Sequence, residues 1–314
     1  DDDDRRHRML AYYYLGRVKY NAKDYTSTML AYYKALDIAK ELNDHYWVGL
    51  SAREISHTYS EAANCEEEAY YAQIAFEHMR LTGKHSHICS ALNRLVTALF
   101  DKGNHEESQM LAFNLLDSAK IHNIPKFEYV ALRMIGKTYL AMERYHEATP
   151  YLQKACEFKQ ATNNDSSYLG FSYIMDGRKD DALMILKQTG SHGGIANARL
   201  RYEVALRNND YVSAIEALNQ FNAIVDEKFR VLIESDFSKL IIEHVNTEKK
   251  IALNNYDKAQ ANKRLLIITL AVLTALIATI AIYYNRKQRK TIRNNNAIAE
   301  ELRQILSLKD EQNE

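Results

Sequence analysis

Proline and glycine are scarce in this sequence. Its 314 residues include two prolines, Pro125 and Pro150, and ten glycines. Because these residues punctuate strands, turns and low-complexity tracts, their scarcity excludes collagen-like and disordered repeats and leaves few places for hairpins. Hydrophobic residues make up 46% of the chain, which is ample for a buried core. The composition therefore predicts an almost wholly α-helical protein.

Cysteine is scarce as well, and neither sign of charge dominates. Cys65, Cys89 and Cys156 form no C-x-x-C pair, so neither a disulfide framework nor a zinc ribbon is expected, and the three are predicted to pack in or beside the core. The 41 basic and 41 acidic side chains balance, so the overall charge does not favour direct nucleic-acid binding. Residues 1–8, DDDDRRHR, are predicted to be a disordered segment at a processed or cropped N-terminus.

An internal period of 40 residues organises the next part of the sequence. Four dipeptides at this interval follow the predicted turn between two helices: Asp24-Tyr25, Asn64-Cys65, Asn104-His105 and Arg144-Tyr145. Small residues such as Gly16 and Gly136, nine positions upstream of the second residue of their dipeptides, would let two helices approach closely. Two shorter units follow. The period predicts about six helix pairs over residues 9–222.

This pattern resembles the tetratricopeptide repeat, an antiparallel helix pair that stacks into a right-handed superhelix. The fourth unit matches best, with Leu132, Ile135, Gly136, Tyr139, Tyr145, Ala148, Leu152 and Ala155 in the signature places. In the second and third units Glu68 and Ser108 replace the usual alanine. HEAT-type repeats also have periods near 40, but the Leu-Gly, Tyr and Ala spacing favours the tetratricopeptide repeat, with longer second helices. The resemblance implies an all-α solenoid.

A long helical pattern replaces the repeats after residue 222. Phe229, Ile233, Phe237, Leu240 and Val245 recur at spacings of 4, 4, 3 and 5, which gives one apolar face. Such a face is able to cover the open end of the last repeat. Residues 223–264 are therefore predicted to form a capping and linker helix.

One uncharged run stands out near the C-terminus. Residues 265–285 read LLIITLAVLTALIATIAIYYN, between Lys263-Arg264 and Arg286-Lys287. About 20 apolar residues rise roughly 30 Å as a helix, the thickness of a bilayer core, and Tyr283 and Tyr284 would lie at the interface. The run predicts a single transmembrane helix at 265–284, with a buried core helix as the alternative.

Basic residues on the two sides of this run predict its orientation. Five follow it closely and four precede it within 15 residues, so the positive-inside rule favours a cytoplasmic C-terminus and extracytoplasmic, periplasmic repeats. Residues 285–314 are predicted to be a basic juxtamembrane segment and a short coiled-coil-like tail. Asn295, Ile298, Leu302 and Ile305 form its seam, a candidate homodimer contact.

No motif in the sequence predicts catalysis, a cofactor or a metal. The glycine-rich stretch 191–194 lacks the strand and the lysine of a phosphate loop. His85, His87 and Cys89 are closely spaced, but no fourth ligand lies nearby for a tetrahedral ion. We therefore expect a protein that is not an enzyme and that has no catalytic residues, no cofactor and no metal.

The resemblance also implies where a partner binds. The first helix of each pair lines the concave surface of such a solenoid, and the corresponding positions here are Tyr13, Arg17, Tyr20, Arg53, His57, Asn93, Thr97, Arg133, Lys137, Arg199 and Glu203. Arginine and tyrosine often dominate binding energy, and the basic residues of this set would suit an acidic peptide or a C-terminal carboxylate. The alternative is that they are ordinary solvated residues. The family's chaperone-binding clamp expects lysine and asparagine where this chain has Tyr13 and Arg17, so binding of a chaperone tail is not implied.

The order of solenoid, long helix, span and tail resembles bacterial signalling proteins in which tetratricopeptide repeats precede a histidine kinase or a helix-turn-helix domain. Neither effector is present in this sequence. The resemblance implies a membrane-anchored protein that binds a peptide or protein partner and is the sensor part of a signal-transduction or transcription-regulatory protein. A membrane-tethered scaffold or assembly factor without signalling output is the alternative, and an enzyme is the third.

Overall fold

A computed structural model of the chain describes residues 2–190, 194–234, 256, 258–271 and 273–274. The chain divides into two compact units, 1–240 and 241–314. The described part of the first unit is entirely helical apart from short connections, which confirms the predicted all-α class for this region. Its helices are α1 (Asp2–Asn21), α2 (Tyr25–Glu41), α3 (His45–Glu61), α4 (Cys65–Arg80), α5 (His85–Asp101), α6 (His105–Ile121), α7 (Pro125–Ala141), α8 (Tyr145–Cys156), α9 (Asn163–Met175), α10 (Lys179–Thr189), α11 (Gly194–Arg207) and α12 (Tyr211–Glu234).

The helices stack in consecutive pairs. Each helix packs against the next along the chain, and the odd-numbered helices from α3 to α11 also contact one another. Side chains join α1 to this row, since the rings of Tyr13 and Trp47 lie 5.2 Å apart. The odd-numbered helices therefore form one continuous layer, and we call their shared surface the odd-helix face.

The 40-residue period consists of two equal halves. Helices α2, α3, α5, α6 and α7 each have 17 residues, so the prediction of longer second helices is wrong. A residue with positive φ recurs every 20 positions in the turns, at Lys23, Asn43, Ala63, Gly83, Gly103, Asn123 and Glu143. This left-handed conformation ends a helix sharply, and connections of three or four residues then return the chain antiparallel.

Close approach of paired helices depends on two glycines. A Cβ atom added at Gly16 would lie 2.5 Å from the Tyr32 ring, and one at Gly136 would lie 2.5 Å from Cγ of Leu152. No side chain fits at such distances. The predicted role of these glycines is confirmed.

The N-terminal prediction is wrong for residues 2–8, which are helical. Asp2, Asp3 and Asp4 occupy the first turn of α1, where negative charge is favoured by the helix dipole. Arg5 pairs with Asp2 at 2.7 Å and Arg8 with Asp4 at 3.2 Å. Charges that look like a solvated tail in sequence therefore stabilise a helix start.

The predicted linker does not begin as a separate element at residue 223. Helix α12 runs without interruption from Tyr211 to Glu234. Residues 235–255 and 257 lie outside the described residues, as do the side chains of the predicted capping face.

The predicted membrane span is only partly described. Residues 272 and 275–284 of it, and the whole of 285–314, lie outside the described residues. Within the described part of the chain, no helix has the length and apolar character needed to cross a membrane.

Candidate functional site

The structure places all the predicted groove residues on odd-numbered helices. Tyr13, Arg17 and Tyr20 lie on α1, Arg53 and His57 on α3, Asn93 and Thr97 on α5, Arg133 and Lys137 on α7, and Arg199 and Glu203 on α11. The contacts of their side chains divide them into two groups, one between α1 and α5 and one between α7 and α11.

Most side chains of the first group are engaged in contacts between helices. The Tyr13 hydroxyl donates to Glu54 Oε1 at 3.4 Å, and the Tyr20 hydroxyl donates to Glu61 Oε1 at 3.2 Å. The Tyr20 ring also packs on His57, with 5.1 Å between ring centroids. These bonds join α1 to α3, so the tyrosines hold the array together and are less available to a partner.

Arg53 extends this network from α3 to α5. Its guanidinium pairs with Glu54 at 2.5 Å and donates to Ser90 Oγ at 3.0 Å. Burial lowers the pKa of Arg53, but the adjacent Glu54 carboxylate more than compensates and leaves it raised. The nearby His57 has its pKa lowered by burial and then by Arg94. Arg53 therefore carries its charge, whereas His57 is neutral at pH 7.

Arg133 faces a buried carboxylate. Its Nη1 lies 3.9 Å from Asp165 Oδ1, and Asp165 is 1% exposed. The other carboxylate oxygen, Oδ2, accepts from the Tyr129 hydroxyl at 2.7 Å and from the Thr162 backbone N–H at 2.8 Å. Arg133 therefore offsets the charge of a carboxylate that caps α9, and its first role is structural.

A pocket of about 460 Å³ brings two of the predicted cations together. Lys137 from α7 and Arg199 from α11 both line it. The complete lining is Phe100, Asp101, Lys137, Leu140, Ala141, Glu143, Tyr145, Tyr168, Phe171, Ala196 and Arg199. The volume is in the range of sites that bind a small ligand or a few residues of a peptide.

Aromatic rings position both cations. Lys137 Nζ lies 4.6 Å from the ring centroid of Phe100 and 5.4 Å from that of Tyr168. The Arg199 guanidinium lies 4.6 Å from the ring centroid of Phe171. Cation–π contacts of this kind help to fix where the charged end of each side chain lies. Burial raises the pKa of Tyr168, so its hydroxyl remains protonated.

Sequence reasoning missed the aromatic residues of this pocket. Tyr145 was interpreted only as a landmark of the repeat, and it is the first residue of an even-numbered helix, α8. Phe100 and Phe171 follow ordinary core spacing along their helices. No local signal distinguishes them from core residues, because their common pocket is formed only when α5, α7, α9 and α11 stack.

The closely spaced His85, His87 and Cys89 make three separate contacts. The His85 ring stacks on His122, His87 Nε2 lies 3.3 Å from the Tyr46 hydroxyl, and Cys89 contacts Ser118. Across the described residues, no group of three or more histidine, cysteine or acidic side chains is arranged to hold a metal ion.

Comparison with known proteins agrees with the repeat pattern. Residues 130–167, from α7 to α9, match the family model of the tetratricopeptide repeat. The chain therefore carries a tetratricopeptide repeat, as the sequence pattern predicted. Comparison with curated protein sequences gives no significant match.

Solved structures of tetratricopeptide-repeat proteins share the fold. A Rap protein complexed with competence and sporulation factor is 16% identical, with 78% of this chain and 76% of that chain covered and a TM-score of 0.55. The apo form of RapI is 16% identical over 72% and 74% of the two chains, with a TM-score of 0.58. A signal transduction ATPase with numerous domains and a tetratricopeptide repeat sensor, from Pyrococcus horikoshii, is 18% identical over 71% of this chain and 38% of that one, with a TM-score of 0.54. At these identities the likeness shows the fold alone: this chain shares the fold of tetratricopeptide-repeat proteins.

Proposed function

We propose that this chain binds a peptide or protein segment on the odd-helix face, with a carboxylate of the partner held between Lys137 and Arg199. The observation that carries the proposal is the pocket in which these two cations converge among aromatic rings. Ionised donors bind carboxylates strongly, and the rings of Tyr168 and Phe171 offer apolar surface beside them. Asp101 and Glu143 also line the pocket, so a partner with one carboxylate and an apolar side chain fits better than a polyanion.

The fold of the relatives supports this proposal. The Rap protein with the same fold was crystallised with competence and sporulation factor, and the repeats of the Pyrococcus horikoshii protein are described as a sensor. Stacked helix repeats present extended surfaces for protein partners. A non-enzymatic role in protein–protein interaction is therefore the function that we propose for this array.

Selection from a display library of short random peptides with free C-termini tests the proposal. Enriched peptides are expected to share a carboxylate next to an aromatic or aliphatic residue. Lys137→Met and Arg199→Met should each weaken their binding about tenfold or more, because a hydrogen bond to a charged group contributes about 1.5–3 kcal/mol. Lys154→Met, an exposed cation on the even-numbered helix α8, is the matched control. Failure to enrich any peptide, or equal binding by all variants, would contradict the proposal.

We also propose that residues 265–284 anchor the chain in a membrane, with the repeats outside and the C-terminus in the cytoplasm. In the described part of this segment Leu265, Leu266, Ile267 and Ile268 are between 59% and 66% exposed. The side chains of four consecutive helical residues point in all directions around the helix axis, so the helix surface is apolar on every side here. Exposure of such a surface to water is unfavourable. The uncharged run with basic residues on both sides supports the same conclusion.

Labelling of intact cells tests the anchor and its orientation. A cysteine replaces the exposed Asn164, in a background where Cys65, Cys89 and Cys156 are serine. A membrane-impermeant reagent should label it without permeabilisation, and the chain should stay in the membrane pellet at alkaline pH. Labelling only after permeabilisation would reverse the orientation, and release from the pellet would contradict the anchor.

The sensor and scaffold hypotheses differ in whether partner binding is signalled across the membrane. We favour the sensor part of a signalling protein, with the tail at 285–314 as a candidate homodimer contact. A coding sequence that continues past residue 314 into a kinase or DNA-binding domain would support the sensor. A stop codon there would favour a membrane-tethered scaffold.

A further inference from the structure

Histidines are concentrated at one edge of the second and third helix pairs. The chain has 11 histidines, and five of them lie where the odd-numbered helices α3 and α5 begin and the even-numbered helices α4 and α6 end. These are His45, His78, His85, His87 and His122. None of them belongs to the pocket on the odd-helix face.

Two of these rings direct nitrogen atoms at one another. His45, the first residue of α3, and His78, in the last turn of α4, place their Nδ1 atoms 3.0 Å apart. Their ring planes are inclined by 49°, with 5.0 Å between centroids. This contact is a hydrogen bond between the two rings. Because the lone pair of a ring nitrogen lies in the ring plane, the line where two inclined planes intersect is a position that both lone pairs can reach.

The separation of the nitrogens fits two ligands of one metal ion. With metal–nitrogen bonds of about 2.0–2.1 Å, two adjacent ligands of a square-planar ion lie roughly 2.9 Å apart, and two ligands of a tetrahedral ion lie roughly 3.4 Å apart. The observed distance is close to the square-planar value. Cu²⁺ prefers that geometry and also has the highest affinity for imidazole among the divalent first-row ions.

We propose that His45 and His78 form a two-histidine site for a divalent late transition-metal ion, with Cu²⁺ favoured. Because no third histidine, cysteine or carboxylate among the described residues completes the group, water fills the remaining positions. His45 is exposed to solvent, so water has access. The last turn of α4 presents backbone carbonyl dipoles that favour a cation at His78, whereas His45 lies at the start of α3, where the helix dipole opposes one.

The surroundings of His78 are compatible with this ligand role. Two charged groups act on His78, namely Glu77, whose carboxylate favours a cation, and Lys40, which opposes one. Their opposite signs leave the two imidazoles as the deciding groups.

A second histidine pair provides the matched control. His85 and His122 are closer, with 3.5 Å between ring centroids, but their planes are inclined by only 16°. The lone pairs of two nearly parallel rings lie in separate, parallel planes and cannot meet at one ion. This pair should therefore bind no metal, although it contains the same residues at the same edge of the array.

Titration of the full chain with Cu²⁺ tests the proposal, using protein purified without a polyhistidine tag. Electron paramagnetic resonance should show one tight equivalent with nitrogen ligands, and Cu²⁺ should raise the unfolding temperature. Affinity for this equivalent should fall at least tenfold in His45→Gln and in His78→Gln, and should be unchanged in His122→Gln. The exposed His45 keeps the test valid if the His78 variant folds poorly.

Two results would overturn the proposal. One is wild-type Cu²⁺ binding no tighter than that of the His45→Gln/His78→Gln double variant, which would leave only a hydrogen bond between the two rings. The other is an equal loss of affinity in His122→Gln, which would indicate nonspecific binding along the whole edge.

Discussion

The second and fourth helix pairs have the same backbone architecture but different interiors. In the fourth pair Gly136 and Ala148 are buried where α7 and α8 cross, and Gly136 lies directly against Leu152. Eighty residues earlier, two repeat periods away, the corresponding positions of the second pair are occupied by Ser56 and Glu68, which are also buried. In the fourth pair the two helices approach closely because the residues at the crossing have little or no side chain. In the second pair, polar side chains occupy the same positions.

Both polar residues at the crossing of the second pair have partners. Ser56 Oγ donates to the Glu68 backbone carbonyl at 2.9 Å, and the Glu68 carboxylate forms an ion pair with Arg94 of α5. Ser108 in the third pair likewise donates to the Val96 carbonyl at 2.8 Å. Residues that look like defects of the repeat in sequence therefore replace apolar contact with hydrogen bonds, and a buried polar group is tolerated when it has such a partner.

The largest expected effect is the loss of stability when Arg94, the partner of Glu68 in the second pair, is replaced. Arg94→Met leaves the Glu68 carboxylate, which is 1% exposed, without a counter-ion. Loss of one partner of a buried pair typically costs about 3–5 kcal/mol, and we expect a fall of that size in the free energy of unfolding by urea at pH 8. Lys120→Met, at an exposed position of α6, should change little. Recovery in Glu68→Ala/Arg94→Met is also expected, since alanine is the usual residue there, and an equally unstable double variant would contradict this account.

The second-largest expected effect is a pH dependence of stability that comes from Glu68 in the second pair. Burial raises the pKa of Glu68 to about 7, against the opposing effect of Arg94. Because the folded pKa lies above the unfolded value of 4.5, the contribution of Glu68 is fully present below pH 4.5 and is lost as the pH rises through about 7. Relative to Glu68→Gln, the wild type should lose roughly 3 kcal/mol across this window. Parallel stability curves for the two proteins would show that the carboxyl group does not titrate in this way.

The smallest expected effect is a loss of stability when the close approach of the helices in the fourth pair is disturbed. Gly136→Ala places a methyl group 2.5 Å from Leu152, and overpacking of this kind costs about 1–3 kcal/mol, partly offset by the helix propensity of alanine. Thermal unfolding followed by circular dichroism should show the loss. The double variant Gly136→Ala/Leu152→Val should recover part of it. No loss in the single variant would mean that the α7–α8 crossing is less rigid than the structure indicates.

Much of the fold was accessible from the sequence because its signals are local. The helices follow from apolar spacings within one or two turns, and the helix pairs, the glycines at crossings and the tetratricopeptide pattern follow from the 40-residue repeat of those spacings. The 20-residue spacing of the turns was not predicted because Lys23, Ala63 and Glu143 adopt positive φ there, although none of them is a residue type that signals such a turn. Residues 2–8 were missed because a run of aspartates resembles a solvated tail.

The candidate site was only partly accessible. Family resemblance predicted the row of residues on the odd-numbered helices, but it did not distinguish Tyr13 and Arg53, which bond to neighbouring helices, from Lys137 and Arg199, which share a pocket. Whether a groove residue is engaged depends on the residue opposite it on the next helix, and the sequence of one repeat does not contain that information.

The sequence by itself determined that this protein is an array of helix pairs, since a repeated apolar pattern specifies helices and the faces that they bury. The tertiary structure decided which polar groups meet. Lys137 and Arg199 lie on α7 and α11, and His45 and His78 are 33 residues apart on α3 and α4. Their distances depend on how far each helix is displaced and rotated on the one before it, and this geometry arises from packing between helices and not from any local pattern.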